Sequence, residues 1–277
     1  MYKLLAANFS RLKKDKTFWI CNIFMIVLSV FLEITYYRNM ILHDFTITLE
    51  TLFFTYCTFI GILLSAFVSL FIGTEYSDGT IRNKIVVGHS RSAIYLANLL
   101  TCCFAGLIMC LCFILPTLAI GIPLFGFFSA DLRFILLIFI LSIVMTFAFV
   151  SLFTLVSMLK QSRAIASVIN ILGVFLLLFL AAYINARLQE PETYDAYMYA
   201  TESGVIEEEG EEENPSYLSG RKRSVYQFCF DALPTGQSIQ FTQMLPDDPL
   251  VSGLSSAAVC VLASGAGMVA FRKKDIK

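Results

Sequence analysis

Apolar residues in this 277-residue chain come in long unbroken runs, with no regular alternation of polarity. Six runs predict helices over 18–36, 52–72, 94–115, 134–158, 164–184 and 250–271. A hydrocarbon layer about 30 Å thick needs roughly 20 residues at a rise of 1.5 Å each. Backbone groups inside that layer must pair within their own segment, which favours helices. A barrel strand would alternate polar and apolar residues over about 10 positions, and these runs do not. In the third run, Pro116 and Pro123 are expected to bend or end the helix. The first run carries one acid, Glu33, near its far end, where its carboxylate is expected to snorkel toward water. That run reads as a retained span rather than a cleaved leader. It is longer than a leader's apolar core, lacks a small-x-small cleavage site, and ends in Thr35-Tyr36-Tyr37-Arg38.

Three polar segments remain. In 1–16, Leu5, Phe9 and Leu12 recur at helical spacing among Lys3, Arg11, Lys13 and Lys14. This predicts an amphipathic helix lying in the membrane interface against anionic head groups. The alternative is a plain basic flank that only sets topology. In 73–92, Asp78-Gly79 marks a turn, and the following stretch offers a short helix with Ile81 and Ile85 on one face. Such a helix suits a groove on a soluble partner; an ordinary polar turn is the other reading. His89 reads as a loop residue. The third segment, 185–249, holds 13 of the 21 acids, six of them within 207–213. Like-charge blocks repel, stay solvated and lack order. The sharper reading makes Glu207, Glu208, Glu209, Glu211, Glu212 and Glu213 an electrostatic funnel for a cationic substrate or ion. Arg221, Lys222 and Arg223 could instead pair with that run. Residues 225–241 are apolar but too interrupted to span, and suggest a helix or re-entrant segment dipping into the outer leaflet.

Composition sharpens this. Apolar residues make up 57% and charged residues 15% of the chain, with a mean hydropathy of +0.75. A soluble domain has about 45–50% apolar and about 25% charged residues, so the composition argues against a cytosolic enzyme or nucleic-acid binder. The net charge of −1 hides a separation. Fourteen of the 20 Lys and Arg residues fall in the two terminal segments and the loops at 73–92 and 159–163. That side is expected to be cytoplasmic, with both termini inside. Seven of the eight cysteines lie in spans and behave as small apolar residues, and only Cys229 lies in the external region. No phosphate-binding Gly-x-x-x-x-Gly-Lys loop, His-Glu-x-x-His zinc motif or Gly-x-Ser-x-Gly elbow occurs.

Several sequence pieces then fall in a telling order. A basic segment precedes the first span. Glu75-Tyr76-Ser77-Asp78-Gly79-Thr80 follows the second and continues into Ile81-Arg82-Asn83-Lys84. Leu233-Pro234-Thr235-Gly236-Gln237 precedes the last span, and Phe271-Arg272-Lys273-Lys274 ends it. In these features the chain resembles, over its whole length, the membrane permease subunits of type-2 ABC exporters. The acidic insert around 202–213 departs from that pattern.

The resemblance implies an all-α membrane protein with one permease domain over 1–277. Six transmembrane helices would be joined by an N-terminal interfacial helix, a cytoplasmic coupling helix and short outer re-entrant helices, as in type V ABC exporters. It implies a dimer with a second permease, identical or related, above two ABC ATPase subunits that carry ATP and magnesium. This chain would bind no cofactor and catalyse nothing itself. Glu75, Tyr76, Asp78, Gly79, Thr80, Ile81, Arg82 and Lys84 would couple to the ATPase, and Leu233, Pro234, Gly236 and Gln237 would form the outer re-entrant motif. Spans one, two and five would lie nearest the dimer axis, and cargo would pass between the permeases. An amphipathic or cationic peptide is the expected cargo in a multi-pass cell-membrane exporter of bacterial type. The competing class is a membrane receptor or immunity protein that binds an extracellular peptide without transporting it.

Overall fold

The computed structural model describes residues 1–43, 46–194, 197–200, 206–209, 212–246 and 248–275. Helix α1 (Tyr2–Lys14) leads into α2 (Lys16–His43). A short α3 (Leu49–Phe53) is followed by α4 (Tyr56–Ser77), α5 (Thr80–Val86), α6 (Arg91–Phe125), α7 (Leu132–Leu159) and α8 (Arg163–Leu188). Four short strands follow, β1 (Thr193–Tyr194), β2 (Tyr197–Ala200), β3 (Ile206–Glu209) and β4 (Glu212–Glu213). Helices α9 (Gly220–Ala232), α10 (Pro234–Gln243) and α11 (Pro249–Lys273) complete the chain. Six helical stretches are long and apolar enough to cross a membrane: α2, α3 with α4, α6, α7, α8 and α11.

These helices exceed the bounds read from the sequence because their polar ends are helical too. The third span does not end at its prolines. Helix α6 runs 35 residues through Pro116 and Pro123 to Phe125. Each proline removes one backbone donor, and packing against neighbours offsets that loss. On α6 that packing comes largely from α2, whose buried stripe is Phe18, Cys21, Asn22, Met25, Ser29 and Glu33. Ser29 and Thr117 share a 2.9 Å hydrogen bond across the seam. The centre of the bundle is filled by Phe54, Phe67, Phe71, Phe113 and Phe149, all nearly inaccessible. Outward, α2 and α8 expose apolar residues such as Ile23, Val27, Phe31, Leu172, Leu176 and Phe179.

Glu33 corrects the snorkelling expectation. It is 1% exposed, and both carboxyl oxygens are buried without a hydrogen-bond partner. It faces α6 near Gly121. A buried carboxyl lacking partners opposes stability, and a neutral side chain of similar shape removes the penalty of burying charge. Glu33→Met is therefore expected to raise the melting temperature of the purified chain, by an amount equivalent to about 1 kcal/mol.

The acidic segment also differs from expectation, in that its backbone is paired. Strand β1 pairs with β4, and β2 pairs with β3, both antiparallel. The register explains why repulsion does not prevent this. Glu207, Glu208 and Glu209 stand opposite Tyr199, Met198 and Tyr197, and Glu212 and Glu213 stand opposite Tyr194 and Thr193. No acid is paired with an acid in these ladders, so like charges do not meet directly across the strands. Glu211 and the side chains of Glu207, Glu208, Glu209 and Glu212 lie outside the described residues.

Candidate functional site

The site is built where α4 ends. Its last turn carries Glu75, and the chain then reverses through Asp78 and Gly79. Gly79 has φ +65°, a left-handed conformation that lets α5 fold back at once. The Thr80 hydroxyl donates to the Glu75 carbonyl oxygen at 3.0 Å and ties the start of α5 to α4. Ile81 buries itself below, while Arg82, Val86 and Val87 remain exposed. Nothing lies within 4 Å of a Cβ added at Gly79, so only backbone strain opposes a side chain. Gly79→Ala is expected to cost about 1–2 kcal/mol of local stability. Limited trypsinolysis at Arg82 and Lys84 should accelerate at least about fivefold, with the spans left intact.

Glu75 is 1% exposed, and side chains from three other helices converge on its carboxylate. Arg11 of α1 reaches Oε1 at 2.5 Å. The Lys84 ammonium of α5 bonds the same oxygen. Asn98 of α6 donates to Oε2 at 2.8 Å. Asn8 of α1 closes the ring, donating to Asn98 Oδ1 at 2.7 Å and accepting from Lys84 at 2.9 Å. The Arg11 guanidinium lies 3.8 Å over the Phe71 ring, which accounts for its buried Nε and Nη2 having no hydrogen-bond partner. One carboxylate therefore holds α1, α4, α5 and α6 together.

A second knot sits beside it. The Tyr76 hydroxyl donates to the Met158 carbonyl at the end of α7. Lys274, just after α11, donates to that carbonyl at 3.2 Å and to the Tyr76 hydroxyl at 3.4 Å. Burial pushes the Lys274 ammonium down to about 8, and the nearby charge of Lys160 acts in the same direction. Arg91 reaches the carbonyl oxygens of Phe271, Arg272 and Lys274. Both termini thus lie at one end of the bundle.

Of the residues singled out in 75–84, the structure brings Glu75, Tyr76, Thr80 and Lys84 into these two networks, and Ile81 is buried beside them. Asp78 and Arg82 stay exposed and outside them. Sequence reasoning missed Asn8, Asn98 and Met158 and placed Arg11 only in a basic belt. Helix α1 is also packed against the bundle. It packs on α6 through Leu4, Asn8 and Leu12, with Phe9 edge-on to Phe104 at 5.1 Å.

At the other end, α9 and α10 form a helical hairpin against α8. Arg223 donates to the Leu188 carbonyl at 3.1 Å, Phe230 packs with Ala181 and Ile184, and Thr235 donates to the Leu177 carbonyl at 3.0 Å. The turn of the hairpin therefore sits about 16 Å below the end of α8, counting 1.5 Å per residue. The Leu-Pro-x-Gly-Gln residues make that turn. Leu233 breaks the helix with φ −82° and ψ 126°, and Pro234 starts α10 at a position that needs no donor. Gly236 lies against the Phe230 backbone, where an added Cβ would strike the carbonyl. Gln237 donates to the carbonyls of Asp231 at 2.7 Å and Ser252 at 2.9 Å, and accepts from Ser256 at 2.6 Å. It locks the hairpin to α11. Arg223 is engaged by Leu188 and stacks 5.6 Å from the Tyr217 ring.

Among the described residues no group of His, Cys, Asp and Glu is arranged to hold a metal ion. No curated protein matches the chain. The family described as ABC-2 family transporter protein matches residues 4–178, which include most of α1, the Glu75 network and the first four spans. The chain carries that family's membrane domain over more than half its length, and it belongs to the ABC-2 family of transporter proteins.

Proposed function

We propose that the chain is the permease subunit of an ATP-driven exporter, working beside a second permease and above two ATPase subunits. The observation that carries this reading is the Glu75 network. A short helix with an exposed tip is fastened through one buried carboxylate to α1 and two spans. A push on α5 would reach α4 and α6 through contacts that cannot slide independently. In this reading α5 is the coupling helix, Arg82, Val86 and Val87 face the ATPase, and the basic end is cytoplasmic. ATP and magnesium belong to the ATPase subunits.

The chain's own centre is filled with phenylalanine, so cargo passes along a face rather than through one subunit. The exposed apolar faces of α2 and α8 supply such a boundary for the second permease and for lipid. The α9–α10 hairpin is the re-entrant element closing the outer side. The acidic segment above it favours cationic amphipathic peptides as cargo. Deleting residues 207–213 is expected to lower export of a cationic peptide severalfold at low ionic strength, and unchanged export would remove that cargo assignment.

Cross-linking tests the reading. With Cys229→Ser and Val87→Cys in the full chain, a short bifunctional thiol reagent should link position 87 to the ATPase subunit. A cysteine placed instead on the far end, at Leu245, should not. Equal or absent linking at both positions would contradict the assignment.

A further inference from the structure

The charges around Glu75 do not balance. Arg11 and Lys84 both lie on one carboxylate, and the side chains that complete the ring, Asn8 and Asn98, are neutral. The cluster therefore keeps one net positive charge. The Lys84 side chain is only 15% exposed, so water compensates that excess poorly. Lys84 also lines a cavity of about 300 Å³ between α1 and α5. Lys3, Thr80, Asn83 and His89 stand around the same space, and none of its lining residues is acidic. Lys3 comes from α1, Thr80, Asn83 and Lys84 from α5, and His89 from the segment after it. An excess positive charge bordered by a second lysine and a histidine suits a phosphate-bearing anion.

The position narrows the ligand further. Helix α1 joins the first span directly, and Trp19 at that junction donates its indole N–H to the Lys13 carbonyl at 2.9 Å. Tryptophan settles at the depth of lipid head groups. The cavity sits on the same short helix, where phosphates of anionic lipids are concentrated.

We infer that the cleft between α1 and α5 is a binding site for a phosphate-bearing anion, which supplies the counter-charge that Glu75 alone does not. The anion touches Lys84 from the side opposite Glu75. Its presence therefore adjusts how firmly α5 is held, and this holds whatever α5 docks against. The site stands on charge and geometry within this chain and does not depend on the transport reading.

The test uses the purified full chain. Native mass spectrometry would count lipid retained from detergent micelles containing equal phosphatidylglycerol and phosphatidylcholine. A parallel titration with glycerol 3-phosphate would detect a soluble source of the same chemistry. The cleft variant is Lys3→Gln with His89→Gln; the belt control is Lys13→Gln with Lys14→Gln, which removes two charges from the same helix outside the cavity. Lys84 is left intact because it belongs to the Glu75 network. Wild type should retain phosphatidylglycerol in preference to phosphatidylcholine, and the cleft variant should lose about fivefold or more of that retention, against less than about twofold in the control. Binding of glycerol 3-phosphate with the same dependence on Lys3 and His89 supports the site with a soluble ligand. Equal losses in both variants would reduce it to a diffuse basic belt. Absence of both the lipid preference and glycerol 3-phosphate binding would overturn it outright.

Discussion

Replacing Glu75 by alanine should destabilise the chain by about 3 kcal/mol, among the largest effects of any single substitution outside the apolar centre. The change strands Arg11 and Lys84 at short range with no counter-charge, and leaves Asn98 with an unmet donor. Arg11 keeps 28% side-chain exposure, which places the loss at the lower end of the range for a broken buried pair. Glu75→Gln keeps the shape and still loses the charge, so it should be nearly as harmful. Adding Lys84→Met to Glu75→Gln removes one of the two stranded cations and should recover a measurable part of the melting temperature. A double-mutant cycle on these two positions reads the coupling directly. Additive losses would show that the two side chains do not share one network. Function should fall further than stability. The double variant stays folded, yet α5 is no longer tied to α4 by charge, so transport should remain impaired.

The second large effect is expected at Gly236. A methyl group there would occupy the Phe230 carbonyl, so α9 and α10 must separate. Forced expansion of a packed contact costs about 1–3 kcal/mol, and here the displaced atom is backbone, which cannot rotate away. Separation also pulls Gln237 from the Asp231 and Ser252 carbonyls. Gly236→Ala should therefore lower the melting temperature by the equivalent of about 3 kcal/mol and loosen the hairpin. Labelling of the already exposed Cys229 would change little, whereas a cysteine at the buried Phe230 should become reactive in the Gly236→Ala background. A Phe230→Cys thiol that stays protected would contradict this account of the turn.

The six spans were legible because each is a long apolar run, and bilayer thickness converts run length into helix length. The short helix after Asp78-Gly79 was legible because a turn signal preceded a pair of isoleucines. What joins these elements was not. Asn8 and Asn98 are single amides in helical patterns, and their partners lie 90 positions apart in the chain. Nothing local marks an asparagine as half of a pair. Glu33 misled for a related reason. Its place near a span end fits a side chain reaching for water, and only the packing of α2 on α6 turns it inward. In the acidic run, net charge suggested repulsion, but a strand register can place acids opposite tyrosine, methionine and threonine. The Leu-Pro-x-Gly-Gln stretch was legible as a motif, and its physical content emerged only from the contact between Gly236 and Phe230.

The central claim is that this chain transmits the work of a partner ATPase through the Glu75 network. The most direct test is ATP hydrolysis by the purified complex of this chain with its ATPase subunits in lipid nanodiscs. Hydrolysis should depend on the chain, rising when the wild-type permease is present and falling back toward the isolated ATPase rate with Glu75→Gln/Lys84→Met, while the complex stays assembled. An ATPase whose rate is the same with the wild-type chain, with that variant and with no permease at all would contradict the account.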